Sequence, residues 1–237
     1  LPVATPTPAR GGEAEDLLLC LGVRRLPPLA RLLDGRESEL RWSHRELVEF
    51  LERASLHEAD WEELGRAESE AAQELTRLLL PGEAVLALGL ATLPWDGAPP
   101  NAAQRALLLK LGVNEHPPLA TLLEVAADAS ADGAKAAEAA VAYLCRHVAA
   151  AYADYAPADA PAIILTADGR RVRPLECFLY ESPWPHAFPH VARSSAAAKR
   201  GAALGVPAKP PIGGCVEQLL MAPPAEGEAD AVFGYMH

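Results

Sequence analysis

Apolar residues recur along this chain at the three- and four-residue spacing of amphipathic helices. One predicted helix begins at Ser43, because a Ser followed three residues later by Glu46 has the pattern of a capping box. A second runs from Ala134 to Tyr152 and is rich in Ala, the residue that favours helix most. Its apolar side is formed by Val141, Leu144, Cys145 and Val148.

One stretch has the pattern of strands instead. Ile163 to Thr166 is apolar, Asp168-Gly169 is a turn pair, and Arg171 to Arg173 is a second extended run. Together they predict a small β-hairpin. Residues 78–80, at the equivalent place 93 residues earlier, are interpreted as a strand rather than as continued helix from Glu74.

A short string occurs three times: Leu-Gly-Val, three residues, then Pro-Pro and an aliphatic residue. Its copies are Leu21, Gly22, Val23, Pro27 and Pro28; Leu111, Gly112, Val113, Pro117 and Pro118; and Leu204, Gly205, Val206, Pro210 and Pro211. In the third copy, Gly213-Gly214 is interpreted as an insertion.

The spacing of the copies defines a unit of about 90 residues. Leu111 lies 90 residues after Leu21, and Leu204 lies 93 residues after Leu111. A second landmark, Pro-x-Glu-x-Val/Phe, begins at Pro81 and Pro174 and is also offset by 93 residues. The predicted fold class is therefore mostly α with small β-hairpins (α+β), built from tandem units.

Each copy is interpreted as a helical corner. Glycine readily takes the left-handed conformation just past a helix end, and the next Val can fold back on the last turn. A Pro pair suits the start of the next helix, where its missing N–H is not needed. We therefore expect Gly22, Gly112 and Gly205 each to end a helix, and Pro28, Pro118 and Pro211 each to start one.

These landmarks set the predicted boundaries. They are a linker or frayed end (1–15), unit one (16–100), unit two (101–193), the start of a third unit (194–221) and an acidic tail (222–237). A repeat buries its apolar face against its neighbour, so a short third unit leaves apolar side chains in need of cover. The candidate interaction residues are Ile212, Val216, Leu219 and Leu220.

Charge and length narrow the class of partner. The formal net charge of −11 disfavours a nucleic-acid backbone, so no nucleic-acid partner is expected. No apolar run reaches the roughly 20 residues of a membrane-spanning helix, so no membrane insertion is expected. The four cysteines are far apart, which favours reduced thiols over a disulfide framework. Because the chain starts at Leu1 without an initiator Met or a signal-peptide pattern, we interpret it as a processed chain or as a fragment of a larger polypeptide.

Motifs for catalysis are missing from the sequence. It has no Gly-rich phosphate loop and no Gly-x-Ser-x-Gly elbow, so neither a cofactor nor a catalytic residue is predicted. His186 and His190 have metal-ligand spacing, but Pro189 disfavours the helix that would align them, and no metal site is predicted. Arg170, Arg171 and Arg173 are interpreted as solvated charge on the hairpin.

The repeated string, a later Trp-Ser-x3-Leu-Val-x2-Leu starting at Trp42, and Leu88-Gly89-Leu90 to Trp95 together resemble large fungal proteins of unknown function. Those proteins look sacsin-like, with an N-terminal ATPase of the histidine-kinase/gyrase type before a long repetitive body. The resemblance covers about residues 16–220 and implies a body segment in a chaperone-like setting. The family's ATP-binding motifs have no counterpart in this sequence, so no catalytic residue is carried over.

The leading hypothesis is a non-catalytic protein-interaction or scaffold segment of a larger chaperone-like, ATPase-associated protein in the cytoplasm, with protein partners. The first alternative is a structural subunit of a stable assembly. The second is a metal-dependent hydrolase that uses His186 and His190.

Overall fold

The computed structural model describes residues 43–53, 70–185, 187–221 and 234. Helices dominate, and the prediction of a mostly α chain with a small β-hairpin is confirmed. The helices are α1 (His44–Arg53), α2 (Glu70–Leu75), α3 (Glu83–Leu86), α4 (Ala102–Lys110), α5 (Leu119–Ala127), α6 (Ala134–Ala151), α7 (Ala197–Arg200) and α8 (Ile212–Met221). The strands are β1 (Ile164–Leu165) and β2 (Arg171–Val172), and short 3-10 turns cover Pro174–Glu176 and Gly201–Leu204.

Several predictions fall outside the described residues. They are the linker 1–15, the first corner from Leu21 to Pro28, the tail 222–237 apart from Gly234, and His186. The chain divides into two compact units, Leu1–Leu78 with Leu93–Val113, and Leu79–Thr92 with Asn114–His237. These units are defined by compactness, whereas the repeat boundaries rest on sequence similarity and stay a prediction.

In the first unit, helix α1 begins with the expected capping box. The Ser43 backbone N–H donates to the Glu46 carboxylate at 2.8 Å, and the Glu46 N–H donates to Ser43 Oγ at 3.3 Å. These hydrogen bonds lower the pKa of Glu46. The buried side of α1, formed by Leu47, Val48 and Leu51, packs on α4.

The core of the second unit is centred on α6. Residues at helical spacing on this helix are buried, and the helix packs against α5. The buried residues from α6 include Ala137, Ala140, Val141, Leu144 and Val148. Leu122 and Ala126 of α5 are completely buried in the same core. Burying one Leu stabilises the fold by roughly 1.5–3 kcal/mol, so this helix pair positions the rest of the unit.

The hairpin has the turn that its sequence demands. Ile164 pairs with Val172 and Leu165 with Arg171 in an antiparallel register. Gly169 has a φ of 84°, and its N–H donates to the Thr166 carbonyl while the Thr166 N–H donates to the Arg170 carbonyl. This is a three-residue hairpin loop with Gly at the left-handed position.

Residues 78–80, just before Pro81, do not form the strand of a hairpin. Helix α2 ends at Leu75, and Leu79 forms single parallel bridges with Thr92 and Asn114. The preference for extended backbone over continued helix is therefore correct at Leu79, but the hairpin that the repeat register suggested does not form there. Tertiary pairing with two other segments decides its conformation.

Three of the four cysteines lie in the described residues, and all three are free and buried: Cys145, Cys177 and Cys215. Burial raises the pKa of Cys145 to about 11 and that of Cys177 to about 12, and it also raises the pKa of Cys215. Their unpaired state fits the interpretation that the widely spaced cysteines do not form a disulfide framework. Among the described residues, no helix is both long enough and apolar enough to cross a membrane.

Candidate interaction surface

The second Leu-Gly-Val ends helix α4 in a Schellman motif. Gly112, with a φ of 96°, donates its N–H to the Leu109 carbonyl, and Val113 donates to Leu108. Both bonds satisfy carbonyls that would otherwise be left open at the helix end. Leu111 and Val113 are buried beneath the turn. Gly112 thus takes a conformation that side chains rarely adopt.

The third Leu-Gly-Val repeats this pattern bond for bond. Gly205, with a φ of 82°, donates to the Ala202 carbonyl, and Val206 donates to Gly201. Leu204 and Val206 are buried, as their counterparts are. The sequence similarity of the two copies is therefore matched by the same backbone geometry and the same burial.

The Pro pairs stand directly before helices. The Pro118 carbonyl accepts from Leu122 N–H at 3.0 Å and the Pro211 carbonyl accepts from Cys215 N–H at 3.2 Å. Pro118 is the N-cap of α5, so it precedes the first helical residue instead of occupying it. The interpretation of Gly213-Gly214 as an insertion is wrong. Both glycines lie in the first turn of α8, at the positions that Ala120 and Thr121 hold in α5.

Helix α8 has one side in the core and an apolar stripe in solvent. Cys215 is 2% exposed, whereas Ile212 is 67%, Val216 is 41% and Leu220 is 80% exposed. These three exposed residues are four apart, so they share one face of the helix. Leu219, the fourth predicted residue, is half-buried between this face and the core side. We call Ile212, Val216 and Leu220 the α8 stripe.

Aromatic packing holds the start of α8. A Cβ atom on Gly214 would lie 3.2 Å from the ring of Phe188, so the ring rests against this turn. Phe188 in turn makes edge contacts with Phe178 at 5.8 Å and Trp184 at 6.3 Å between ring centroids. The helix is thus anchored through its first turn and Cys215, with the stripe left open.

Two tyrosines that follow α6 donate hydrogen bonds to the second and third corners. Tyr152 Oη donates to the Pro117 carbonyl at 3.0 Å, and Tyr155 Oη donates to the Leu204 carbonyl at 3.1 Å. Burial raises the pKa of both phenols, that of Tyr155 to about 12. Sequence reasoning missed this role, although the two tyrosines stand three residues apart at the end of the long helix α6.

His116, which lies between the Leu-Gly-Val and the Pro pair of the second corner, belongs to a cluster of rings. Its Nδ1 lies 2.7 Å from Tyr143 Oη, and its ring centroid lies 5.1 Å from that of His147. Tyr143 and His147 are one turn apart on α6, with centroids 4.4 Å apart. The four-residue spacing of Tyr143 and His147 places both rings on one side of a helix. It does not indicate that His116 packs against them.

The environment of His147 disfavours its charged form. Burial is the main cause of its lowered pKa, followed by the neighbouring imidazole of His116 and by Arg146, while Glu115 acts in the opposite direction. An imidazole kept neutral and packed between rings stabilises the junction of α6 with the second corner. The cluster is therefore interpreted as structural.

The interpretation of Arg171 as solvated charge is wrong. Its side chain is only 11% exposed, and its guanidinium donates to the carbonyls of Ile163 at 2.8 Å and Ala126 at 3.2 Å. It also lies 3.4 Å from Glu138, which accepts hydrogen bonds from Ser195 Oγ and the Ala196 N–H. Arg171 thus joins the hairpin to α5 and α6, which no local pattern reveals.

The other two arginines stay at the surface. Arg170 pairs with Asp168 next to it, and this contact together with Thr166 lowers the pKa of Asp168. Arg173 is exposed, and its backbone N–H donates to Glu176 at 3.2 Å. The interpretation as solvated charge therefore fits Arg170 and Arg173.

Of the candidate metal ligands, His190 is the one described. Its carbonyl accepts from the Ala167 N–H, and it forms a bridge with Phe178. No group of three or more metal-binding side chains occurs among the residues that the structure describes. His186 lies outside them, so the pairing of the two histidines stays a prediction.

Comparison with known proteins identifies a family. No curated protein and no solved structure resembles the chain significantly. A family model of proteins of unknown function, DUF3684, matches residues 1–237. This agrees with the resemblance to proteins of unknown function, and the sacsin-like part of that resemblance stays a prediction. The chain belongs to the DUF3684 family.

Proposed function

We propose that this chain is a non-catalytic protein-interaction segment of a larger, chaperone-like, ATPase-associated protein in the cytoplasm. The α8 stripe carries the proposal, because three large apolar side chains share one solvent-facing side of a helix that is otherwise anchored. Apolar patches of this kind often mark binding sites for other proteins. Their side chains gain about 25 cal/mol per Å² when a partner removes them from water.

The segment works as part of a repeated body. The matching Schellman turns and buried Leu and Val of two corners support tandem repetition of one supersecondary unit. Repeat bodies bind partners along extended surfaces, with each unit supported by its neighbours. The sacsin-like resemblance supports the chaperone-like setting, in which such a surface meets unfolded protein.

A client-binding assay tests this function. The 237-residue chain without nucleotide should suppress the light scattering of insulin whose disulfides are being reduced, because the α8 stripe covers exposed apolar surface on the insulin chains. The variant Ile212→Ser with Leu220→Ser should lose most of that suppression. Leu86→Ser is the matched control, since Leu86 is a single apolar residue 60% exposed on α3 of the same unit.

Far-UV circular dichroism establishes that each variant keeps its helices. Suppression by the parent chain that is lost only in the α8 double variant supports the proposal. If the parent chain leaves insulin aggregation unchanged, or the α8 double variant suppresses it as well as the parent, the interaction function is contradicted.

A further inference from the structure

The second corner is fixed to α6 by a group of aromatic side chains. The Pro117 carbonyl accepts a hydrogen bond from Tyr152 Oη at 3.0 Å, and His116 Nδ1 lies 2.7 Å from Tyr143 Oη. The His116 ring also lies against His147, with 5.1 Å between the ring centroids, and against Tyr152, with 6.2 Å. We call His116, Tyr143, His147 and Tyr152 the ring cluster. These contacts join the corner to the second half of α6 and to the residue that follows it.

The backbone of the second corner in turn holds two neighbouring segments. The Asn114 carbonyl accepts from the Leu80 N–H at 2.9 Å, and the Pro118 carbonyl accepts from the Leu122 N–H at 3.0 Å. Leu80 and Pro117 are buried while these bonds are in place. The amides of Leu80 and Leu122 therefore report directly whether the corner is closed.

The ring cluster is compatible with neutral imidazoles and much less so with charged ones. Both rings are half-buried, so protons from solvent can reach them. Protonation of both rings would place two positive charges with 5.1 Å between the ring centroids, where they repel each other. A neutral imidazole can accept a hydrogen bond from the Tyr143 hydroxyl, whereas a protonated His116 can only donate one. Closure of the corner is thus coupled to the charge of the cluster.

The groups around His147 act mainly against its protonation. Burial is the first cause of its lowered pKa, and the His116 ring and Arg146 follow in that order. Glu115 opposes them, but it is exposed and its effect ranks last. Burial raises the pKa of Tyr152, so this phenol stays neutral near pH 7. The imidazoles are therefore the groups in the cluster whose charge changes on mild acidification.

We infer that the second corner is a pH-sensitive switch, which stays on α6 while the imidazoles of the ring cluster are neutral and opens locally when the cluster takes up a proton. Opening returns His147 to water and to its ordinary pKa of 6.5, so the open corner binds more protons than the closed one. Acidification below pH 6.5 thus favours opening, which exposes Leu80 and Pro117. This surface is separate from the α8 stripe, so the inference does not depend on the proposed function.

The third corner is the internal control. Lys209 stands 93 residues after His116, at the equivalent position, and is exposed. Tyr155 donates to the Leu204 carbonyl there, and its pKa is raised to about 12, so it does not titrate near neutral pH. The Val206 N–H, which donates to the Gly201 carbonyl, reports whether this corner is closed.

Native-state hydrogen exchange of the 237-residue chain, followed by NMR between pH 7 and pH 5, tests the inference. After correction for intrinsic exchange, the opening constants at the Leu80 and Leu122 amides should rise about tenfold. Uptake of one proton on opening changes an equilibrium by at most about tenfold per pH unit. The amides of Val206 and of Thr166, which donates to the Arg170 carbonyl of the hairpin, should change less than about twofold.

Variants assign the effect to the imidazoles. His147→Gln should abolish the pH-dependent rise at Leu80 and Leu122, and His116→Gln should reduce it. Tyr143→Phe keeps both imidazoles, so it should raise opening at every pH and leave the pH dependence in place. Glu115→Gln is the matched control beside the cluster and should retain the rise. Far-UV circular dichroism establishes that each variant keeps its helices.

Three results would overturn the inference. The first is a parent chain whose Leu80 and Leu122 amides open equally at pH 7 and pH 5. The second is an equal rise at Val206 and Thr166, because acid would then destabilise the whole unit instead of the corner. The third is a full rise that persists in both histidine variants, which would assign the proton to another group.

Discussion

Gly205 is restricted both by its backbone conformation and by its surroundings. Its φ of 82° is one that side chains adopt only with strain, and an added Cβ would lie 2.5 Å from Pro157 Cγ. Other glycines of the chain separate the two effects. Gly89 has a φ of 69° with nothing within 4 Å, and Gly213 is helical with nothing within 4 Å.

Gly205→Ala should lower the free energy of unfolding by about 2 kcal/mol or more, through left-handed strain and the clash with Pro157. Gly89→Ala, with strain alone, should cost about 1–2 kcal/mol. Gly213→Ala should be neutral or stabilising by up to ~1 kcal/mol, because Ala favours helix over Gly. Urea unfolding of the three variants measures this order. Equal losses at positions 205 and 213 would contradict it.

Arg171 and Arg170 are neighbours in sequence with opposite environments. Arg171→Ala should destabilise the chain by about 3 kcal/mol, because it leaves the Ala126 and Ile163 carbonyls and the Glu138 carboxylate without their cation. Arg170→Ala is the control and should cost under ~1 kcal/mol, as an exposed pair does. Thermal unfolding of both variants measures the difference, and similar melting temperatures would show that Arg171 makes no special contribution.

Local sequence signals define most of the elements described here. Residues within a few positions explain three of them: the Ser43–Glu46 capping box, the Asp168-Gly169 turn and the Ala-rich helix α6. Contacts between distant segments were not predictable in the same way. Leu79 is extended because it pairs with Thr92 and Asn114, and Arg171 is buried because α5 and α6 present carbonyls and Glu138 to it.

The candidate surface was predictable for a different reason. The repeated Pro-Pro corner placed Ile212, Val216 and Leu220 in the helix that follows it, whose counterpart in the second copy is α5. What the sequence did not reveal was which side of α8 faces the core, because the Gly213-Gly214 pair looked like an insertion. The half-buried position of Leu219 follows from that register.

At the scale of the α6 helix, the histidine cluster predicts a pH dependence. The pKa of His147 is lowered in the folded chain, so the unfolded chain binds more protons as the pH falls through 6.5. The contribution of His147 to stability is therefore present above pH 6.5 and is lost on acidification, until the pH is below the lowered pKa. Burial of the ring is the main cause of the lowered pKa; His116 and Arg146 add to it, and Glu115 opposes it.

His147→Gln should reduce this loss between pH 7 and pH 5, because the amide does not titrate. The measurement is urea unfolding of parent and variant at each pH. The relevant quantity is the slope of the free energy of unfolding against pH, compared between the two chains. His190→Gln is a control outside the cluster. Equal slopes for the parent and His147→Gln would mean that the ring cluster does not couple protonation to folding.

For the whole molecule, the proposal of a non-catalytic segment makes a chemical prediction. The purified 237-residue chain should contain far less than one zinc ion per chain and should hydrolyse ATP no faster than buffer. Elemental analysis and a phosphate-release assay measure the two quantities. Stoichiometric zinc that disappears in His186→Ala would instead favour the hydrolase alternative.

The three buried cysteines of the second unit allow its local opening to be measured by thiol modification. A thiol reacts as its thiolate, so burial and a raised pKa keep Cys145, Cys177 and Cys215 from alkylating reagents while the unit is closed. In a chain with Cys20→Ser, the modification rate at each position then reports how often that part of the unit opens. Cys215 lies on the helix with the uncovered stripe and should be modified first, with Cys145 and Cys177 following only when the core of the second unit opens. A partner protein bound to the α8 stripe should slow the first phase and leave the later ones unchanged.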